Sequence, residues 1–267
     1  MFDIMSQARD AIVTYNAALQ VHTSNIANMS VTGYKRLDVS FQSLFEKVLR
    51  SGTAASTFSN LGGTNPQQYG QGVGIGNIKV DFTQGSFTTT NLPLDLSITG
   101  GGLFIVSPDA GASYLYTRAG KFSIINGSMV TETGQQVYGL DNSGALVPIT
   151  GLAGTQTDYG WTSSGELYYQ SSNTGFRIAL TTFPNAGGLQ QAEGTTLRET
   201  LTSGSASSPV APGGTAGTVT VGQVEASNVF YLGESIDATE VQRALSANLS
   251  VVKMASDMIS SFISKLG

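Results

Sequence analysis

Few side chains in this 267-residue chain could do chemistry, and none is placed to do it with another. A single histidine and no cysteine exclude a multi-histidine metal centre, a thiolate site, a thiol nucleophile and a disulfide framework. The histidine, His22, falls on an apolar helical seam, where a packed or interface role is simpler than ligation. Asp81 in KVDFTQG and Asp95 in PLDLSITGGG read as strand or turn acids. Neither has an acid–base partner at a definable spacing, although two carboxylates could still meet through the fold. GQGVGIG at 70–76 is dense in glycine but lacks the G-x-G-x-x-G spacing of a phosphate cradle, and reads as a loop or strand lead-in. The one tryptophan, Trp161 in DYGWTSSGELYY, reads as a core or surface anchor of a β domain. No catalytic, cofactor-binding or metal-ligating residue is assigned, and no cofactor is expected.

One stretch is unusual. SNIANMSVTGYKR, residues 24–36, carries Asn25 and Asn28 on nearly one helical face, then Gly33, an aromatic and two cations. Asparagine does not suit a helix interior. Taken alone, the stretch reads as a fraying helix end with a glycine exit.

The elements that would position these residues follow from periodicity. Residues 4–29 contain no Gly or Pro, and Met5, Ala8, Ile12, Tyr15, Leu19, His22, Ile26 and Met29 step by three and four, which predicts a helix. Phe2, Ile4, Ala11 and Val13 widen its apolar stripe beyond what one neighbour would cover. Near the other end, Val241, Leu245, Asn248, Val252, Ala255, Ile259, Phe262 and Leu266 repeat the pattern. His22 and Asn248 are the polar members of the two seams, a device that fixes register at some cost in stability.

Between the helices the period becomes two. GNIKVDF, GSFTTT, LDLSITG, LFIVS, YLYTRAGKFSI and RIALTTF are short β-prone runs divided by Gly, Asn and Pro. The expected fold is α+β: terminal helices paired in a coiled-coil-like core, a central antiparallel all-β domain, and an extended connecting arm. The expected boundaries are 1–36 with 225–267 for the helical core, 37–75 for the arm and 76–224 for the β domain. Within the arm, VSFQSLFEKVLRSG suits a short helix or a strand. TSGSASSPVAPGGTAG at 202–217 reads as a loop or excursion.

Composition narrows the partners. Thirteen Lys and Arg stand against eighteen Asp and Glu, with no basic run, which argues against nucleic acid. No apolar run approaches the ~20 residues that span a bilayer. The N-terminal residues lack a basic region and an apolar stretch with a small-residue cleavage site, so no cleaved secretory signal is expected. Charged residues are only 12% and glycines number 33, a balance common in extracytoplasmic β-rich and filament-forming chains.

With these elements in place, SNIANMSVTGYKR resembles the N-terminal signature of the bacterial flagellar axial proteins of rod and hook, an Asn-(Leu/Ile)-Ala-Asn core followed by Gly-(Phe/Tyr)-(Lys/Arg). Asn25, Ile26, Ala27, Asn28, Gly33, Tyr34 and Lys35 match it in order. NPQQYGQGV, FTQGSFTTTNLPLDLSITGGGLFIV, YTRAGKFSI with GSMVTETGQQVYG, and VEASNV with EVQRALSAN resemble further family blocks in the family's order. Gly101, Leu103 and Leu245 depart from the pattern.

The resemblance implies a structural subunit that is not an enzyme. Its terminal helices would pack as the inner layer of a helical tube, with the β domain outside. It implies self-assembly through Asn25, Ile26, Ala27, Asn28, Gly33, Tyr34, Ser227, Asn228, Val229, Gln242, Arg243 and Asn248. The helix seams would run through Ile12, Leu19, His22, Val241, Leu245, Val252, Ile259 and Phe262. It implies as partners the neighbouring rod and hook proteins, the flagellar export apparatus and envelope ring proteins. It places the chain in the basal body, in the periplasm or outside the cell, exported without a cleaved signal. The single middle region resembles that of distal-rod subunits first, short hook proteins second and proximal-rod subunits third. The competing class is a secreted β-rich enzyme or carbohydrate-binding module with incidental end helices; phage tail or baseplate assembly is a third.

Overall fold

The computed structural model describes residues 2–54 and 63–266. Part of the connecting arm, residues 55–62, lies outside the described residues. The chain divides into two compact units, one formed by Met1–Ser24, Asp38–Ile78 and Leu232–Gly267, the other by Asn25–Leu37 and Lys79–Tyr231.

The first unit holds two long helices and the arm. Helix α1 spans Phe2–Ala27 and α2 spans Tyr231–Leu266. Helix α1 runs until its last turn tightens, with Asn28 N–H donating to Asn25 O and Met29 N–H to Ile26 O, three residues back. The helices are antiparallel neighbours: His22 bonds Glu234, and fourteen residues further along each helix Ala8 and Asn248 line one cleft. The buried stripe of α1 consists of small side chains, Ala8, Ala11, Thr14 and Ala18. That of α2 keeps heptad spacing through Glu234, Val241 and Ala255, with Leu245, Asn248 and Val252 half-buried between them.

The arm is an out-and-back ribbon of strands. Its strand β1 (Leu37–Ser43) pairs with β4 (Val73–Val80), and β2 (Glu46–Arg50) runs antiparallel to β3 (Gln67–Gly70). VSFQSLFEKVLRSG is thus strand and not helix, and the glycine-rich GQGVGIG follows β3 and enters β4. Thr14 Oγ1 lies 3.2 Å from Val73 O, and the Tyr15 and Phe41 rings meet at 5.6 Å, so α1 packs on the arm as well as facing α2.

The second unit is antiparallel β. A twelve-stranded sheet has as its central path Tyr159–Trp161, Glu166–Tyr169, Ser172–Ile178, Gln136–Leu140, Leu103–Ser107, Leu115–Thr117, Thr196–Arg198 and Gln190–Gln191. Two smaller pairs flank it: Leu96–Thr99 with Thr218–Val221, and Phe87–Thr89 with Gln223–Glu225. Leu103–Ser107 is buried on both faces. Phe104 and Val106 enter one apolar cluster with Met129, Val137 and Leu180; Leu103 and Ile105 enter another with Tyr116, Tyr138 and Leu197. This explains the continuous apolar run LFIV where a half-exposed strand would alternate. Trp161 packs in the first cluster as a core residue. The 202–217 stretch is pinned by an isolated bridge between Leu180 and Val210 and by a buried Ala216.

The unit boundary differs from the sequence expectation at both ends of the β domain. Residues 25–37 and 225–231 belong with the β body and not with the helices. The physical reason is a set of buried polar contacts that ties them there.

Candidate assembly site

Three of the motifs quoted above converge on one buried charge cluster in the β unit. Lys35 comes from the segment after α1, Arg118 from YTRAGKF and Glu225 from VEASNV. Their side chains are 2%, 2% and 1% exposed. Lys35 Nζ donates to Glu225 Oε1 at 2.6 Å and to Thr83 O at 2.8 Å. The same Oε1 accepts Gly85 N–H at 2.8 Å, and Arg118 Nη1 reaches Glu225 Oε2 at 3.4 Å. Arg118 also donates to the carbonyls of Ile98 and Gly100. Two cations thus share one carboxylate. Burial lowers the pKa of the Lys35 ammonium, and the hydrogen bond and charge of Glu225 oppose that shift without cancelling it. Burial likewise lowers that of Arg118 against the attraction of Glu225.

Two asparagines hold the backbone of the same segment. Asn25, fully buried, accepts Leu37 N–H at 2.9 Å and the Tyr34 hydroxyl at 3.2 Å on Oδ1, and donates from Nδ2 to Leu37 O at 2.8 Å. Its amide therefore serves Leu37 as a neighbouring strand would. Asn228 accepts Arg36 N–H at 2.8 Å and donates to Asp81 O at 2.8 Å and Thr83 O at 3.1 Å. Arg36 adds an ion pair to Asp81 at 2.9 Å. Burial raises the pKa of the Asp81 carboxyl, but hydrogen bonds from Thr83 and the Arg36 guanidinium more than offset it and leave it below its ordinary range.

Gly33 is required by its geometry. Its φ is +71°, its N–H donates to Glu225 O at 2.8 Å, and a Cβ would run into the Ala119 backbone. Tyr34, Gly33 and Lys35 are all buried. Ile26 and Asn28 are half-buried and Ala27 is exposed. Ser227 Oγ accepts Val229 N–H at 3.3 Å. The glycine-aromatic-cation signature is therefore a buried fastening within one chain.

The helical positions behave differently. Gln242 and Arg243 lie on the exposed side of α2. Asn248, half-buried, donates its Nδ2 to Ala244 O at 2.9 Å inside its own helix. Val241 is buried; Leu245, Val252 and Ile259 are half-buried, while Phe262 is 65% exposed. On α1, Ile12, Leu19 and His22 are half-buried beside the alanine stripe. His22 Nδ1 lies 2.8 Å from Glu234 Oε2, whose side chain is 2% exposed.

Sequence reasoning missed Glu234 because a glutamate in a helical first turn reads as solvated. Lys35, Arg118 and Glu225 each sat inside a quoted motif. The available signal was one charge in each of three motifs in a chain where charge is scarce.

Among the described residues no group of three or more His, Cys, Asp or Glu could hold a metal, and no helix is long and apolar enough to cross a membrane. No family profile matches the chain. It is similar to the flagellar basal-body rod protein FlgG of Bacillus subtilis (strain 168), 30% identical over 251 residues that cover 93% of each chain. It is also similar to FlgG of Caulobacter vibrioides, 33% identical over 250 residues and 90% of each. The flagellar hook protein FlgE of Helicobacter pylori (strain 26695) is 37% identical over 145 residues, 54% of this chain but 20% of the hook protein. With two rod proteins at least 30% identical to it over nine-tenths of its length, the chain belongs to the bacterial flagellar axial family of rod and hook as a non-enzymatic structural subunit.

Proposed function

We propose that the chain is a subunit of the distal rod of the flagellar basal body, polymerising with its own copies into a helical tube through α1 and α2. The observation that carries the rod assignment is coverage: two rod proteins align over nine-tenths of both chains, whereas the hook protein aligns over only a fifth of its length. The higher identity within the hook segment keeps a short hook protein as the second reading. A proximal-rod place is the third.

Assembly through the helices is supported by the exposed apolar side chains of α2. Met254, Met258 and Phe262 recur every fourth residue, with Ile263 beside them, all more than half exposed. An exposed apolar row of this kind marks a surface that a neighbour covers. A non-closing head-to-tail contact between identical chains yields a helical filament. In this reading the partners are further copies, the adjoining rod and hook subunits, envelope ring proteins and the export apparatus, and the site of action is the periplasm or beyond.

Electron microscopy of the purified chain tests the proposal. Tubes of regular diameter are expected, and a Phe262→Asp chain should stay monomeric with its β unit intact. A monodisperse wild-type chain with both helices fully protected from amide exchange at all concentrations would overturn the reading. Restoration of hooks in cells lacking a hook protein, with none in cells lacking a distal-rod protein, would move the assignment to the hook.

A further inference from the structure

We propose that the His22–Glu234 pair is the register lock of the α1–α2 pairing, acting as a positioning contact that selects one alignment out of several the apolar surfaces would accept. The apolar faces repeat only in part under a shift of seven residues, since Asn248 would then take the place of Val241 or of Ala255. Ala11 would take the place of Ala18, Leu245 that of Val252, and Val252 that of Ile259. Small alanines on α1 add little to the choice, because a smooth stripe fits a repeating seam at more than one level.

The polar pair does not repeat. With α2 shifted one heptad in one direction, His22 faces Val241 and Glu234 lies beyond Ala27, where α1 ends. With the opposite shift, Glu234 faces Tyr15 and His22 lies before the start of α2. Both alternatives break the 2.8 Å contact: one sets the half-buried His22 against Val241 and Glu234 past the end of α1, the other sets the buried Glu234 against Tyr15 and His22 before the start of α2. Burying a charge without its partner is strongly unfavourable, so the pair adds discrimination to a seam that is only partly selective by itself. The lock also sets how far α2 runs on. In the observed register, residues from about Ser256 onward continue past the first described turn of α1 and carry the exposed Met258, Phe262 and Ile263.

The absence of cysteine permits a clean measurement on the full chain. Spin labels at Asn16→Cys and Ser250→Cys sit on exposed faces of α1 and α2. The two positions are offset along the axis, so a heptad slip of about 10 Å changes their separation. The distance distribution is read by pulsed electron resonance in labelled chain diluted into excess unlabelled chain. One distance is expected in the parent. Glu234→Leu should raise the population at a shifted distance at least about tenfold, since it removes the penalty that excludes the slipped registers. The exchanged pair His22→Glu with Glu234→His should return the single distance. Leu19→Ala, which weakens apolar packing without touching the pair, should keep it. Several distances in the parent, a single unchanged distance in Glu234→Leu, failure of the exchanged pair to restore the parent distribution, or slippage in Leu19→Ala would each overturn the proposal.

Discussion

Lys35 and Glu225, 190 residues apart in the chain, meet at 2.6 Å with Arg118 on the second carboxylate oxygen. Removing the carboxylate and removing the lysine are therefore unequal changes. Glu225→Gln leaves two buried cations facing each other, a change expected to cost about 3 to 5 kcal/mol. Lys35→Met leaves the Arg118–Glu225 pair balanced, and its expected cost is nearer the roughly 1 to 3 kcal/mol of a lost charged hydrogen bond. Urea unfolding of both variants checks the order. Equal losses would show that Arg118 does not depend on Glu225.

The same cluster decides where the β unit can be cut. A fragment of residues 76–224 ends before Glu225 and lacks 25–37, so Arg118 loses its carboxylate and the Phe87–Thr89 strand loses the register partner of Phe87. A fragment of residues 25–231 keeps every contact of the cluster. The longer fragment is expected to melt cooperatively, and the shorter one to melt well below it or without a transition, as read by calorimetry. Coincident transitions would place the boundary where periodicity alone puts it.

Asp95 gives a pH dependence with a definite sign. Its side chain is almost wholly buried, its Oδ2 has no hydrogen-bond partner, and burial raises its carboxyl pKa against the opposing effects of Thr90 and Lys121. A carboxyl raised in the folded state stabilises fully when protonated, below its unfolded value. That stabilisation is lost as pH rises through the folded value. Asp95→Asn is therefore expected to gain stability relative to the parent as pH rises from below 4 toward neutrality, and to hold that gain above. Midpoints of denaturant unfolding for the pair across this range test it; a gain that grows toward acid would reverse the assignment.

Much of this was readable in the sequence, for identifiable reasons. The heptad seam of α2 is carried by β-branched and leucine side chains, which periodicity detects, and it leads to Val241, Val252 and Ala255. On α1, periodicity weighted Ile12 and Leu19, whereas the most buried apolar positions are Ala8, Ala11 and Ala18. The helix is covered on two sides, by α2 and by the arm, and close approach selects small residues, of which periodicity picked up Ala8 and Ala11 but passed over Ala18. LFIV was legible as a strand, but grouping it with the period-two runs hid its burial on both faces, which removes the alternation. The Lys35–Glu225–Arg118 contact was not legible, because charge pairing across nearly the whole chain leaves no local period.

Asn25 and Asn248 separate folding from assembly. Among the contacts described, Asn25 bonds Leu37 twice and Tyr34 once within the β unit, and it is fully buried. Asn25→Ala strands the Leu37 N–H and carbonyl, and a loss of roughly 1 to 3 kcal/mol is expected in the isolated chain. Asn248 bonds only one turn back along its own helix, to Ala244 O, among the contacts described, and stands half-buried beside Val251 in the cleft between the helices. Asn248→Leu therefore leaves no buried group stranded within the chain, and its unfolding midpoint is expected to stay within about 0.5 kcal/mol of the parent, as for a surface substitution. If the helices are the polymerising surface, the same leucine changes the apolar seam in every subunit, so the critical concentration or the geometry of the tubes should shift. Parallel measurement of monomer unfolding and of polymer yield separates the two residues. A monomer loss for Asn248→Leu equal to that of Asn25→Ala would assign both amides to folding alone.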